Sequence, residues 1–352
     1  MLHLIFAAHD PGAGKMLSGA TKEARRRGHE IRFVCDGPAK NLWLEEGETV
    51  EHLDIESDRD IAQVTASTDL VVTGTGFGPF ERQIWQSLRG HEQKTFAVID
   101  SWATFKRRFI GDKQDERLIL PDAIGVVDDW SLRQIQNDQW SNVPLHVVGQ
   151  PHLQQITDAV LSRRRRRAAN RETTLVFFSE PIREDFPDGS RGFEQFGVFS
   201  DVLTNLNDGQ PLRVLVKPHP RELSSKWEKL VTEWPVNSPL KLELSEQNAD
   251  DLLGFADGVI GMTTMVLVEA ALSRVPTVSC QPDRGEKILP FIDEILPVVT
   301  NMSDFNDVIR LALSGELAPD EHGEPNVALS QIIENAAGRF VDAIELVAGK
   351  RN

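Results

Sequence analysis

The sequence predicts an α/β protein made of two parallel-sheet domains, and three observations carry that prediction. Short apolar runs alternate with longer amphipathic segments along all 352 residues. Runs such as "LHLIFAA", "DLVVTGTG", "TTLVFFSEP" and "LRVLVKPHP" are nearly continuous in apolar residues, as strands covered on both faces are. Each run ends in a Gly, Pro or polar turn that leads into a helical pattern. A chain this long exceeds one ordinary core and divides into units of about 150 residues. The expected domains are residues 1–155, residues 156–335, and a C-terminal helix end, 336–352, packed back on the first domain.

In the first domain, "LHLIFAA" is a strand and "HDPGAG" a turn. A helix follows from Lys15 to Arg27 and stops at Gly28, and "EIRFVC" is the second strand, completing a βαβ unit. "ETVEHLD" reads as a third strand. "DLVVTGTG" is a buried strand with a Gly-rich turn, followed by a helix over "FERQIWQSLRG". "KTFAVID", "AIGVVDD" and "LHVVGQP" complete the set. "LQQITDAVLSRRRRRAANRE" reads as helix and linker. In the second domain, "TTLVFFSEP", "LRVLVKPHP", "LKLEL", "DGVIGM" and "PTVSCQP" are strands. Residues 191–207, "SKWEKLVTEW", "NADDLLGFA" and "TTMVLVEAALSR" are the helices between them. "MSDFNDVIRLALSG" and "ALSQIIENAAGRFVDAIELVAG" are closing helices.

Charge narrows the function classes. Lys plus Arg is 38 against Asp plus Glu 54, a formal net charge of −16. Such a surface repels nucleic acid in general, yet leaves room for a local anion pocket. The run Arg163 to Arg167 reads as a solvated stretch at a domain boundary. Its other reading is a weak peripheral contact with anionic lipid, at about 1 kcal/mol per Arg. Cys35 and Cys280 lie far apart and outside any metal-ligand spacing, which fits a reducing, cytoplasmic setting. No stretch approaches the roughly 18 apolar residues of a membrane helix. HExxH, paired CxxC and GxSxG are all missing, so no metal or cofactor is expected.

The polar loops after the strands carry the candidate chemistry, because ligands of such sheets bind at the strands' C-terminal ends. Pro218 and Pro220 end their strand and stiffen the loop that holds Lys217, His219 and Arg221. Lys217 offers a phosphate a point charge, and His219 a hydrogen-bond donor. The alternative is a solvated loop with a structural histidine. Gly261 ends another strand, and Thr263 or Thr264 opens a helix whose unpaired N–H groups suit a phosphate. Glu269, two turns in, suits the hydroxyls of a ribose or sugar. Ser179 and Glu180 follow the first strand of the second domain. In the first domain His9 and Asp10 follow β-structure directly and suit a general base, with Gly12 and Gly14 in the turn. The P-loop pattern GxxxxGK[ST] and the pattern GxGxxG are both absent there. "TGTGFG", Asp100 and Ser101 lie at further strand ends, while Asp128 and Asp129 read as a helix cap.

"KPHPRE", followed about forty residues later by "DGVIGMTTMVLVEAAL", resembles the nucleotide-binding half of GT-B glycosyltransferases. The likeness is to bacterial sialyltransferases, CDP-glycerol glycerophosphotransferases and capsule-synthesis transferases. It implies that His219–Pro220 and Thr263–Thr264 hold the donor's phosphate, and that two Rossmann-like domains face a central cleft. The acidic base of the sialyltransferases has its nearest counterpart in Asp10. The resemblance implies a metal-independent glycosyltransferase of glycan or polysaccharide biosynthesis. It would move a sugar from a CMP-, CDP- or UDP-linked donor to a hydroxyl acceptor, glycan or lipid-linked. Two alternatives stand beside it. A UDP-N-acetylglucosamine 2-epimerase has the same fold and would turn over a nucleotide sugar without an acceptor, using residues such as His9, Asp10, Asp100 and Glu180. A non-catalytic assembly protein would keep the fold and bind no nucleotide.

Overall fold

Strands buried on both faces send alternate side chains to opposite cores. The first strand of the chain does this: Leu4 and Phe6 enter one apolar cluster, and Ile5 and Ala7 the other. A computed structural model describes residues 1–111, 117–166, 172–206, 212–285, 289–314 and 329–349. The chain divides into two compact units, Met1–Gln155 with Ala328–Asn352, and Ile156–Val327, the division falling inside the helix Pro151–Arg164.

The first unit holds β1 (His3–Ala7), β2 (Glu30–Val34), β3 (Val50–Glu51), β4 (Leu70–Thr73), β5 (Lys94–Val98), β6 (Ala123–Val126) and β7 (Leu145–Val147). They form one parallel sheet in the order β3-β2-β1-β4-β5-β6-β7. The second unit holds β8 (Thr174–Phe178), β9 (Leu212–Lys217), β10 (Leu240–Leu244), β11 (Gly258–Gly261), β12 (Thr277–Cys280) and β13 (Val298–Val299). Its parallel order is β10-β9-β8-β11-β12-β13. Both sheets are therefore wound outward from a central strand in the Rossmann manner, and both reverse direction once, at β1/β4 and at β8/β11. In the second unit Leu175, Phe177, Val214, Val216 and the fully buried Trp227 share one core.

Several elements differ from the sequence pattern for identifiable reasons. The first helix runs Pro11–Arg26, starting four residues early because Pro11 occupies its first turn, where a missing N–H costs nothing. "ETVEHLD" pairs only through Val50–Glu51. The helices Ala39–Glu45 and Asp58–Thr65 were not legible from periodicity. The pattern at 191–207 resolves into a helix over Gln195–Leu206, preceded by a short turn of helix at Ile182–Asp185; residue 207 lies outside the described residues. The closing helix breaks at Asn335, whose φ of 46° is left-handed, into Leu329–Ile333 and Ala336–Val347.

The helix Ala336–Val347 packs on the helix Pro11–Arg26 and places Phe340 and Ile344 in the core beneath β1. Arg27 pairs with Asp342 at 2.5 Å, His29 meets Glu345 at 2.8 Å, and Lys94 donates to the carbonyl of Val347 at 2.9 Å. The arginine run is also engaged. Arg163 pairs with Asp250 and Asp251, and Arg164 donates to the carbonyls of Leu253 and Ala256, so the two grip opposite ends of the helix Ala249–Phe255. Arg167 lies outside the described residues. Among the described residues no helix is long and apolar enough to cross a membrane.

Removing the ring of Phe340, which is fully buried, leaves a cavity under β1. Phe340→Ala should cost the first unit about 3–5 kcal/mol in urea unfolding. A loss below about 1 kcal/mol would show that the C-terminal helix is not part of that core.

Candidate functional site

In the second unit β8 lies between β9 and β11, so the segments after these three strands share one edge of the sheet. Glu222 ties the segments after β8 and β9 together. Its carboxylate accepts from the Ser179 hydroxyl (2.9 Å), the His219 backbone N–H (2.7 Å), the Gln195 amide (3.2 Å) and the Trp227 indole (3.3 Å). Glu222 thereby fixes the turn that the two prolines begin. His219 is half-buried, and its Nδ1 accepts from the Arg221 backbone N–H at 3.2 Å, which leaves the proton on Nε2. Burial, and then the nearby Arg221 charge, push the His219 imidazole below its usual range. It is therefore a neutral donor near pH 7.

The start of the helix Met265–Leu272 is already occupied by an anion from the chain itself. The Glu180 carboxylate accepts from the Thr263 backbone N–H at 2.5 Å and from the Thr263 hydroxyl at 3.0 Å. Thr264, not Thr263, is the N-cap, its hydroxyl accepting from the Val266 N–H at 3.4 Å. The turn beneath is held by Ser279, whose hydroxyl donates to the Met262 carbonyl at 2.5 Å, and it is close-packed at Gly261, where a Cβ would lie 3.1 Å from the Phe178 carbonyl. Burial raises the Glu180 carboxyl from 4.5 to about 7, against the lowering effect of its Thr263 hydrogen bonds.

The remaining candidates sit less centrally. Lys217 donates to the Glu246 carbonyl at 3.3 Å. Arg221 forms a two-pronged pair with Asp185 at 2.7 Å, so its charge is already matched, and Pro220 is exposed. Glu269 is half-buried within the helix Met265–Leu272.

In the first unit the segments after β1, β4 and β5 meet. His9 and Asp10 are half-buried. The expected His9–Asp10 base pair is replaced by another arrangement: the His9 ring packs against Gly37 and lies 6.3 Å from the Phe80 ring, while its backbone N–H donates to Glu81 at 2.9 Å. Asp10 points instead toward Gly76. A Cβ on Gly76 would lie 2.8 Å from Asp10 Oδ2 and 3.0 Å from Glu81 Oε2, so a side chain there would displace a carboxylate. Asp100 Oδ2 would lie 2.7 Å from a Cβ on Gly12. Arg108 is buried and holds this group together, donating to the Thr75 carbonyl (2.9 Å), Asp100 (2.9 Å) and the Ser101 hydroxyl (2.6 Å). Asp128 caps the helix Asp129–Asp138 through the Ser131 N–H at 2.8 Å and accepts from the Trp102 indole at 2.7 Å. Among the described residues no group of three His, Cys, Asp or Glu is arranged to hold a metal ion.

Sequence reasoning missed Glu81, Arg108 and Glu222. None stands directly at a strand end, and a single charge in a helix or loop reads as solvated until its neighbours are known.

No protein-family model matches the chain, and no curated protein does. Solved structures do match over the full length. The UDP-GlcNAc 2-epimerase of Methanocaldococcus jannaschii superposes with a TM-score of 0.69 at 12% identity, covering 98% of this chain and 100% of its own. The UDP-GlcNAc 2-epimerase of Neisseria meningitidis, solved bound to UDP-GlcNAc, gives 0.65 at 8% identity, covering 97% and 99%. MurG of Acinetobacter baumannii gives 0.58 at 12% identity, covering 98% and 100%. The chain shares their fold, GT-B, with two Rossmann-like parallel-sheet domains.

The Glu180 geometry has a pH signature. A carboxyl raised in the folded state contributes stability that is full below its ordinary value of 4.5 and is lost as pH rises through about 7. Gln keeps an acceptor for the Thr263 N–H and does not titrate. Between about pH 5 and 8 the native chain should therefore lose thermal stability relative to Glu180→Gln. A difference that stays constant across that range would contradict the assignment.

Proposed function

We propose that the chain acts on a nucleotide sugar, the second unit holding the diphosphate and the first supplying acid–base carboxylates, and that the reaction is an epimerisation of a UDP-N-acetylhexosamine. The observation that carries the reading is the anion seat at the β8/β11 reversal. Thr263 offers a backbone N–H and a hydroxyl to a carboxylate there, on the edge that also bears His219. A phosphate oxygen has the charge and acceptor geometry to take that place when Glu180 gives it up. His219, neutral with its proton on Nε2, would donate to the same phosphate, and Lys217 would add charge. Such donors matter most if the sugar–phosphate bond loosens during reaction, because they then meet charge as it develops. Glu269 would receive ribose hydroxyls.

The choice of epimerisation rests on the first unit. Inverting a carbon bearing hydrogen breaks one C–H bond and makes another on the opposite face, which calls for more than one proton-handling group. Asp10 and Asp100 supply them at one sheet edge. Two of the three compared structures are UDP-GlcNAc 2-epimerases by name, which supports the same choice. Glycosyl transfer to a hydroxyl is the second reading, favoured by the likeness to MurG and by the half-buried Asp10 as a single base.

Incubation of the purified chain with UDP-GlcNAc in D₂O, without acceptor, separates the two. Epimerisation predicts the C2 epimer carrying solvent deuterium. No turnover until a hydroxyl acceptor is added would favour transfer, and no UDP-induced rise in thermal midpoint would remove the nucleotide site altogether. His219→Ala should lower turnover on the order of 100-fold with little loss of stability. Unchanged turnover in that variant would end its assigned role.

A further inference from the structure

Glu81, at the first unit's sheet edge, is 1% exposed and out of a substrate's reach. Its Oε1 accepts from the His9 N–H, and its Oε2 is buried without a hydrogen-bond partner. A Cβ on Gly76 would lie 3.0 Å from that oxygen and 2.8 Å from Asp10 Oδ2, so the two oxygens border the same glycine. An ionised carboxylate with one oxygen desolvated and another carboxylate beside it is a costly arrangement. A protonated Glu81 resolves it: the carbonyl oxygen accepts from His9, and the hydroxyl donates toward Asp10.

We propose that Glu81 is a positioning residue that stays protonated, donates from Oε2 to Asp10 Oδ2 and so orients Asp10 for proton transfer with the sugar. The inference rests on the reading of Asp10 as an acid–base group. Glu81 keeps its proton throughout: Asp10 gains the substrate's proton on its other oxygen and later gives it up. Burial, and secondly the Asp10 charge, push the Glu81 carboxyl above the usual range, whereas the hydrogen bond from His9 lowers it. The other charged or titratable groups facing Glu81 are the His9 ring, the thiol of Cys35 after β2 and the adjacent Arg82. Arg82 donates to the carbonyls of Gly76 and Arg108.

Infrared difference spectra of the intact chain at neutral pH test the proton without any need for activity. Beside the Glu180 contribution that every variant shares, a protonated carboxyl band should appear in the native chain, be lost in Glu81→Gln, and shift upward in Asp10→Asn, where the acceptor becomes neutral. No such band in the native chain, or a band indifferent to Asp10→Asn, would overturn the proposal even if the enzyme epimerises. In the turnover assay, Glu81→Gln carries an N–H in place of the O–H and should keep kcat within about threefold and the pH profile unchanged, while Glu81→Ala should lose at least tenfold in kcat with KM little altered. Equal loss in both variants with a changed pH profile would mean that Glu81 itself exchanges the proton. If neither the native chain nor its variants turn over any nucleotide sugar, the reading of the reaction fails, while the infrared result still decides the pairing.

Discussion

A parallel sheet wound outward from its central strand has a single place where the connections on either side part company. In this chain that happens between β1 and β4 and again between β8 and β11. Everywhere else the strand ends are roofed by the crossover to the next helix. The polar groups of each unit collect at these two reversals because it is there that backbone N–H groups and charged side chains can stay unpaired with the sheet and still be held rigidly. His9, Asp10 and the Gly74–Gly76 turn stand at one. Ser179, Glu180 and the Gly261–Thr264 turn stand at the other.

Rigidity at each reversal comes from one charged side chain with many partners. Glu222 collects donors from Ser179, His219, Gln195 and Trp227, and Arg108 donates to Thr75, Asp100 and Ser101. Hydrogen bonds to charged groups are each worth about 1.5–3 kcal/mol net, and their orphaned partners cost about as much. A loop stitched in this way has little freedom left to lose when a ligand arrives, which is why such loops make binding surfaces. Glu81 and Glu180, like Asp128, are pushed above the carboxylate range by burial. Glu180 is seated on a helix start and Glu81 on a backbone N–H.

The strands were legible in the sequence because burial on both faces leaves continuous apolar runs, as in "LVVT" and "TLVFF". The candidate loops were legible for the same reason, since the residues directly after a buried strand must lie at its end. His219, Thr263 and Glu180 were found by that position alone. What periodicity could not supply was partnership. It gave no sign that Glu180 reaches Thr263 across the sheet reversal, that Thr264 is the cap, or that Asp10 turns from His9 toward Glu81. The helices Ala39–Glu45 and Asp58–Thr65 span about two turns each, too few for a periodic pattern to repeat. The break at Asn335 was hidden because a left-handed residue leaves no trace in hydrophobic spacing.

The central claim is that a nucleotide's phosphate takes the seat now held by Glu180. Backbone hydrogen exchange with and without UDP tests it most directly. The account predicts altered protection in peptides covering residues 179–183, 217–222 and 261–269, including the Thr263 and Thr264 amides that pass from carboxylate to phosphate. Saturating UDP with no change in those segments would contradict it.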